Sequence, residues 1–223
     1  MTCNWTDLSL RPMVGEFQED LAKAAMDCFR TAEAWKEQLS EGDKGSLIRA
    51  FHRAESLAEY ALVEAIKQVP EDHGKDLARQ RVEEERHVDV FAGFLGGEVE
   101  IPLRPKSKVR PPSVWYGLLL LNELTGYCQF SMLAALLDPG EREVLETVME
   151  DEEEHVERLL RWMEPVWGSR ESEQATKMVQ RFRADLPGRM EQFFEGPHLE
   201  GLRQEMGSHV RGLLDALLNR FPS

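Results

Sequence analysis

Apolar residues recur at intervals of three and four along most of this chain, and stretches of strict apolar and polar alternation are few. That period fits helices rather than strands, so the expected class is all-α. Breakers set the bounds. A first helix is expected from about Val14 to Leu39, ending before EGDKG. A second runs from Ser46 to Val69 and stops at Pro70, and a third begins after EDHG and closes at Phe94 or Leu95, before Gly96 and Gly97. Residues 97–113, GEVEIPLRPKSKVRPPS, hold four prolines and four basic residues and read as a long connection. Helices resume over Val114–Leu137, Glu141 to about Trp167, Ser172–Phe194 and Leu199–Phe221, separated by DPG and EGPH.

Two of these stripes are interrupted by groups that do not belong in a core. In the segment containing DEEEHVERLL, Leu145, Val148, Glu152, His155, Val156, Leu159 and Met163 share one helical face, while Glu153, Glu154 and Glu157 fall outside it. In VEEERHVDVF the same holds for Glu84 and His87, which share a face with Leu77, Val88, Phe91 and Leu95. Glu55 lies in line with Phe51, Ala58, Leu62 and Ile66, and Glu123 is the only charge in Val114–Leu137. Four carboxylates and two imidazoles thus point inward.

Their spacing repeats. Glu55 to Glu84 and Glu123 to Glu152 are each 29 residues, and Glu55 to Glu123, Glu84 to Glu152 and His87 to His155 are each 68. The set is an internal repeat of two helix pairs around one centre. Glu195 and His198 share the Glu-x-x-His spacing, but Gly196 and Pro197 between them deny it a regular helix.

Burying four facing carboxylates costs several kcal/mol each unless the charge is cancelled, and two divalent cations cancel four glutamates. Oxygen and nitrogen ligands suit iron or manganese, with zinc not excluded on affinity.

Composition narrows the partners. A chain of 223 residues with 42% hydrophobic and 30% charged content is expected to form one domain over residues 1–223. Its parts would be an N-terminal extra helix in 1–45, a metal-binding bundle in 46–167 and C-terminal helices in 168–223. The net charge of −14 argues against nucleic acid and anionic membranes as partners. MTCNWTDLSL has no basic or apolar targeting pattern, so a cytoplasmic location is expected. Glu123 at its centre argues against Val114–Leu137 as a membrane span; a helix apolar all round can be the most buried one of a bundle. Cys3, Cys28 and Cys128 form no CxxC pair and read as free thiols.

With helix pairs on either side of a long crossover, these residues resemble the ferritin-like di-iron carboxylate proteins, in which two helices each give a glutamate and two others each give Glu-x-x-His. The resemblance covers about residues 46–167 and implies a four-helix bundle with additional terminal helices. It implies Glu55, Glu84, His87, Glu123, Glu152 and His155 as metal ligands, with Glu84 and Glu152 bridging. It also implies that Asp151 hydrogen-bonds His87 and that Glu83 hydrogen-bonds His155, although a solvated Glu83 is the other reading. Glu59, one turn beyond Glu55, and its repeat counterpart Tyr127 are candidates for an extra ligand and a redox-active or hydrogen-bonding phenol, or for groups outside the pocket. The CxxC tail of rubrerythrins is missing, and Val148 stands where arylamine N-oxygenases carry another histidine.

The expected function is oxidation or hydroxylation of a small, partly apolar organic substrate with O2 as co-substrate. It would use two iron ions per chain, with manganese or a mixed pair also fitting, and an external electron donor. Size and ligand set look like those of aldehyde-deformylating oxygenases and related hydroxylases. Phe51, Phe91, Phe94, Trp115, Tyr116 and Met132 are candidates for the substrate pocket as well as for the core. Iron oxidation and storage is the alternative, and a metal-free helical interaction protein a remoter one. Arg104, Lys106, Lys108 and Arg110 read as a solvated loop or as a dock for an acidic carrier or a phosphate-bearing substrate, and homodimerisation is left open.

Overall fold

The computed structural model of the protein describes residues 17–97, 99, 108–167 and 172–220. Among these residues the structure is all-helical: α1 Phe17–Trp35, α2 Glu41–Ile66, α3 Glu71–Phe94, α4 Pro112–Leu136, α5 Pro139–Trp167, α6 Ser172–Phe193 and α7 Glu200–Leu218. Two short 3₁₀ turns, Lys36–Gln38 and Pro197–Leu199, precede α2 and α7. Most of the connection 97–113, with Arg104 and Lys106, lies outside the described residues, as do Cys3 and the expected helix ends at Val14 and Phe221.

The second helix starts earlier than its glycines imply. Ser40 caps α2: its hydroxyl accepts from the Asp43 backbone N–H at 3.2 Å, and Asp43 accepts from the Ser40 backbone N–H at 2.9 Å. This reciprocal box satisfies two donors at the helix start and outweighs the glycine cost, so EGDKG forms the first turn instead of a break. EDHG likewise belongs to α3, whose first turn carries Glu71 and Asp72 at the positive end of the helix dipole.

Helices α2 and α3 pack along each other, as do α4 and α5; α2 also meets α4, and α3 meets α5, closing a four-helix arrangement. Helix α1 lies against α4 and α7, and α6 against α4 and α7. Helix α4 therefore touches α1, α2, α5, α6 and α7, which explains why it is apolar on every side. No helix among the described residues is long and apolar enough to cross a membrane. Close approach fixes two glycines: a side chain on Gly117 of α4 would collide with Met178 of α6, and one on Gly201 of α7 would collide with the Trp35 ring. Cys28 of α1 and Cys128 of α4 are buried free thiols that hydrogen-bond each other.

Candidate metal centre

Each wall of the four-helix arrangement brings its part of the repeat to the centre: Glu55 from α2, Glu84 and His87 from α3, Glu123 from α4, and Glu152 and His155 from α5. All six are buried, with exposures from 0% to 6%. They form two groups, Glu55, Glu84, His87 and Glu152 on one side and Glu84, Glu123, Glu152 and His155 on the other. Within each group one ligand atom per residue lies within 4.8 Å of the others, and Glu84 and Glu152 belong to both. Either group can hold a metal ion.

The histidines face the carboxylates through Nδ1. In His87 this atom lies 3.4 Å from Glu55 Oε2, 3.5 Å from Glu84 Oε2 and 3.3 Å from Glu152 Oε1. In His155 it lies 3.4 Å from Glu84 Oε1 and 3.8 Å from oxygens of Glu123 and Glu152. Each outer nitrogen meets a carboxylate: His87 Nε2 lies 3.1 Å from Asp151 Oδ2, and His155 Nε2 lies 2.9 Å from Glu83 Oε2. Asp151 is itself held by Arg86 at 2.8 Å. An Nε2–H donated to a carboxylate leaves Nδ1 as the inward lone pair and fixes the ring. Glu83 is therefore not simply solvated, and the His155 bond lowers its pKa below the ordinary carboxylate range.

Charges in the cluster are balanced by protons. Burial, followed by the charge of Glu84, raises Glu55; burial, followed by the charges of Glu123 and Glu84, raises Glu152. Burial also opposes ionisation of Glu84, but the His87 hydrogen bond and the His155 charge outweigh it and keep that carboxylate low. Both imidazoles are raised despite burial, by Asp151, Glu152, Glu55 and Glu84 around His87 and by Glu123 and Glu83 around His155. Without a metal these shifts favour a proton on Nδ1 and on the raised carboxyls; a cation taking Nδ1 would displace that proton and leave the Nε2–H on its carboxylate.

Two atoms test whether a metal fits. Glu152 Oε1 and His155 Nδ1 are buried and have no hydrogen-bond partner. A buried polar atom left unpaired costs on the order of 1–3 kcal/mol. His155 belongs to the Glu84, Glu123, Glu152 and His155 group and Glu152 to both groups, and a divalent cation in the former would take a lone pair from each. The donor set of carboxylates plus imidazole suits iron or manganese.

A cavity of about 620 Å³ reaches this cluster from one side. Glu55, Glu84, Glu123 and Glu152 line it, whereas His87 and His155 do not. The open face is thus carboxylate and the closed face imidazole. Residues of α2, α4 and α6, including Phe51, Leu119, Phe182, Met190 and Phe193, make the apolar wall. Of the aromatic and apolar residues expected in a pocket, Phe51 and Trp115 line it; Phe91, Phe94, Tyr116 and Met132 do not. Phe91 stacks instead on Phe51 and Phe130, at 5.3 and 5.8 Å between ring centres. Tyr116 accepts or donates a 2.6 Å hydrogen bond with His73.

Glu59 and Tyr127 stay out of both metal-ligating groups and out of the cavity lining. Glu59 accepts from Arg81 Nη1 at 3.2 Å, one turn too far along α2 to face the centre. Tyr127 is buried on α4, where burial and then the charge of Glu153 on α5 raise its phenol. The Glu195 and His198 pair is split as its glycine and proline require: Gly196 has φ of 117°, Glu195 pairs with Arg53, and His198 pairs with Asp43.

The sequence reading missed Gln80. This fully buried amide donates from Nε2 to Glu123 Oε1 at 2.9 Å and approaches Glu84 Oε1 at 3.4 Å, while its Oε1 receives Arg158 Nη1 at 3.4 Å. Its position one turn before Glu84 was the available signal, but its repeat counterpart is Val148, so the internal symmetry does not flag it.

No family model, curated protein or solved structure matches the chain.

Proposed function

We propose that the chain is a non-haem di-iron protein of the ferritin-like kind that uses dioxygen to oxidise or hydroxylate a small, partly apolar organic molecule. The observation that carries this reading is the pair of four-residue groups sharing Glu84 and Glu152, opening on its carboxylate face to an apolar-walled cavity. Glu84 and Glu152 would offer oxygens to both ions, Glu55 and Glu123 one ion each, and His87 and His155 one nitrogen each. When bound and reduced, two iron ions supply two electrons to dioxygen. Asp151 and Glu83 hold the Nε2 protons of the histidines, keeping Nδ1 directed inward. Four carboxylates offset the charge of two divalent cations, which makes the arrangement tolerable in a core. Phe51, Leu119, Met190 and Phe193 exclude water from the end of the cavity where a substrate would react. The apolar stretch of the wall, Phe51, Leu119, Phe182, Met190 and Phe193, supports an organic guest over iron storage.

The test is anaerobic loading of the metal-free chain with Fe(II), iron counting by mass spectrometry, and oxygen uptake with medium-chain alcohols, aldehydes and acids. Two irons per chain with substrate-accelerated uptake is the expected result. A chain that stays folded by circular dichroism yet binds fewer than two irons overturns the reading.

A further inference from the structure

Arg110 and Arg189 stand where two cavities meet. The one that reaches the carboxylates shares Arg110, Leu118, Phe182 and Arg189 with a second, of about 400 Å³, between the start of α4 and α6. Each guanidinium lies over an aromatic ring, Arg110 at 5.5 Å from the centre of Trp115 and Arg189 at 4.1 Å from that of Phe182. In a chain with net charge −14 a surface arginine finds a carboxylate easily, as Arg53 does with Glu195 and Arg86 with Asp151. Among the described residues, neither Arg110 nor Arg189 has a carboxylate at ion-pair distance, although Asp185, one turn before Arg189, acts on it electrostatically.

Two buried donors point to what is missing. Arg110 Nε and Trp115 Nε1 are both buried and without a hydrogen-bond partner, and both residues line the cavity that leads to the glutamates. An exposed lysine, Lys108, lines the same cavity. The cavity therefore has a cationic end with donors to spare, an apolar middle formed by Leu118, Leu119 and Phe182, and a glutamate end. A guest that is apolar throughout would leave the cationic end without a counter-charge. An oxyanion pairs with the guanidinium groups.

We infer that the substrate is an amphiphile with an oxyanion head, a carboxylate or a phosphate. Its head is held by Arg110 and Arg189, and its apolar body extends along Leu118 and Leu119 toward Glu55 and Glu123. This names the substrate class for the proposed oxidation and rests on that reading. It also fixes orientation, since the end bearing the charge is the one kept away from the reacting centre.

The experiment is calorimetric titration of the metal-free full chain with decanoate, decyl phosphate and 1-decanol, each below its micelle-forming concentration. At least one anion is expected to bind about 10-fold or more tighter than the alcohol, in keeping with charge-assisted hydrogen bonds. Added salt should weaken the anion and spare the alcohol. Arg110→Ala and Arg189→Ala, checked for folding by circular dichroism, should each reduce the preference, and the double variant should abolish it. Whichever anion binds tighter assigns the head; equal binding of the two, both above the alcohol, assigns an oxyanion site of either kind. Equal binding of alcohol and anions in the unaltered chain, or a preference that survives the double variant, overturns the inference. Because no metal takes part, the outcomes separate: iron loading without anion preference removes only the head-group assignment, and anion preference without iron loading removes only the di-iron reading.

Discussion

The two halves of the centre carry the same ligands at the same spacing and support them differently. In the α2–α3 half, Glu55 and His87 satisfy each other, with Nδ1 at 3.4 Å from Glu55 Oε2. In the α4–α5 half, Glu123 is held by Gln80, and His155 Nδ1 has no hydrogen-bond partner. Repetition thus extends to the carboxylates behind the histidines, Glu83 and Asp151, which are also 68 residues apart, but not to the partners on the inner face, where the α4–α5 half keeps a histidine nitrogen without a hydrogen bond. A cation entering beside Glu55 must first displace a hydrogen bond.

The sharpest way to break this comparison is to remove what the halves share. Glu84→Ala or Glu152→Ala is expected to take bound iron from two per chain to none, because each residue belongs to both groups. Glu55→Ala or Glu123→Ala should each leave about one, with Glu123→Ala abolishing the tighter step. Iron counting together with a stepwise calorimetric titration checks this, and equal affinities for the two steps would remove the proposed difference between the halves.

A second effect appears when no metal is present. Burial and the neighbouring Glu84 push Glu55 from 4.5 up to about 8, so the folded chain keeps a proton that the unfolded chain loses between those values. The folded state binds more protons across that window, and stability falls as pH rises from about 4.5 to about 8. The raised histidines add the same sign above their ordinary value of 6.5. Urea unfolding with a chelator present should show a loss on the order of a few kcal/mol over this range. Glu55→Gln should flatten the slope, and a metal ion should reverse it by taking the place of the protons.

The smallest of the three effects sharpens the asymmetry. Gln80→Ala frees Glu123 and is expected to weaken metal binding in the α4–α5 half by about 10- to 100-fold, as is usual for groups that orient ligands. Val148→Ala, at the repeat counterpart, should leave affinity nearly unchanged. Equal losses from the two variants would mean that packing near α5 matters more than the amide.

The convergence of the six buried glutamates and histidines was legible because two rules acted together: a three-residue spacing puts glutamate and histidine on one helix face, and the repeat selects pairs that belong together. The contacts of Asp151 and Glu83 with the histidines come from the resemblance to the ferritin-like proteins, since position alone leaves Glu83 equally readable as solvated. Gln80 was not legible, since a glutamine one turn from a ligand has no counterpart across the repeat. The cavity was only partly so. Periodicity says that Phe91 and Tyr116 are buried, but whether they face a void depends on how α6 lies across α2 and α4, and helical patterning leaves that packing open. The start of α2 shows the local limit: two glycines read as a break until the Ser40 and Asp43 cap is weighed against them.

Helix α4 touches five other helices, whereas α2 touches α3, α4 and α6. Backbone amides around Glu123 are therefore expected to exchange with deuterated solvent more slowly than those around Glu55. Ions would reach the centre along the cavity onto which all four glutamates open, with α4 as the wall that is held from the most sides.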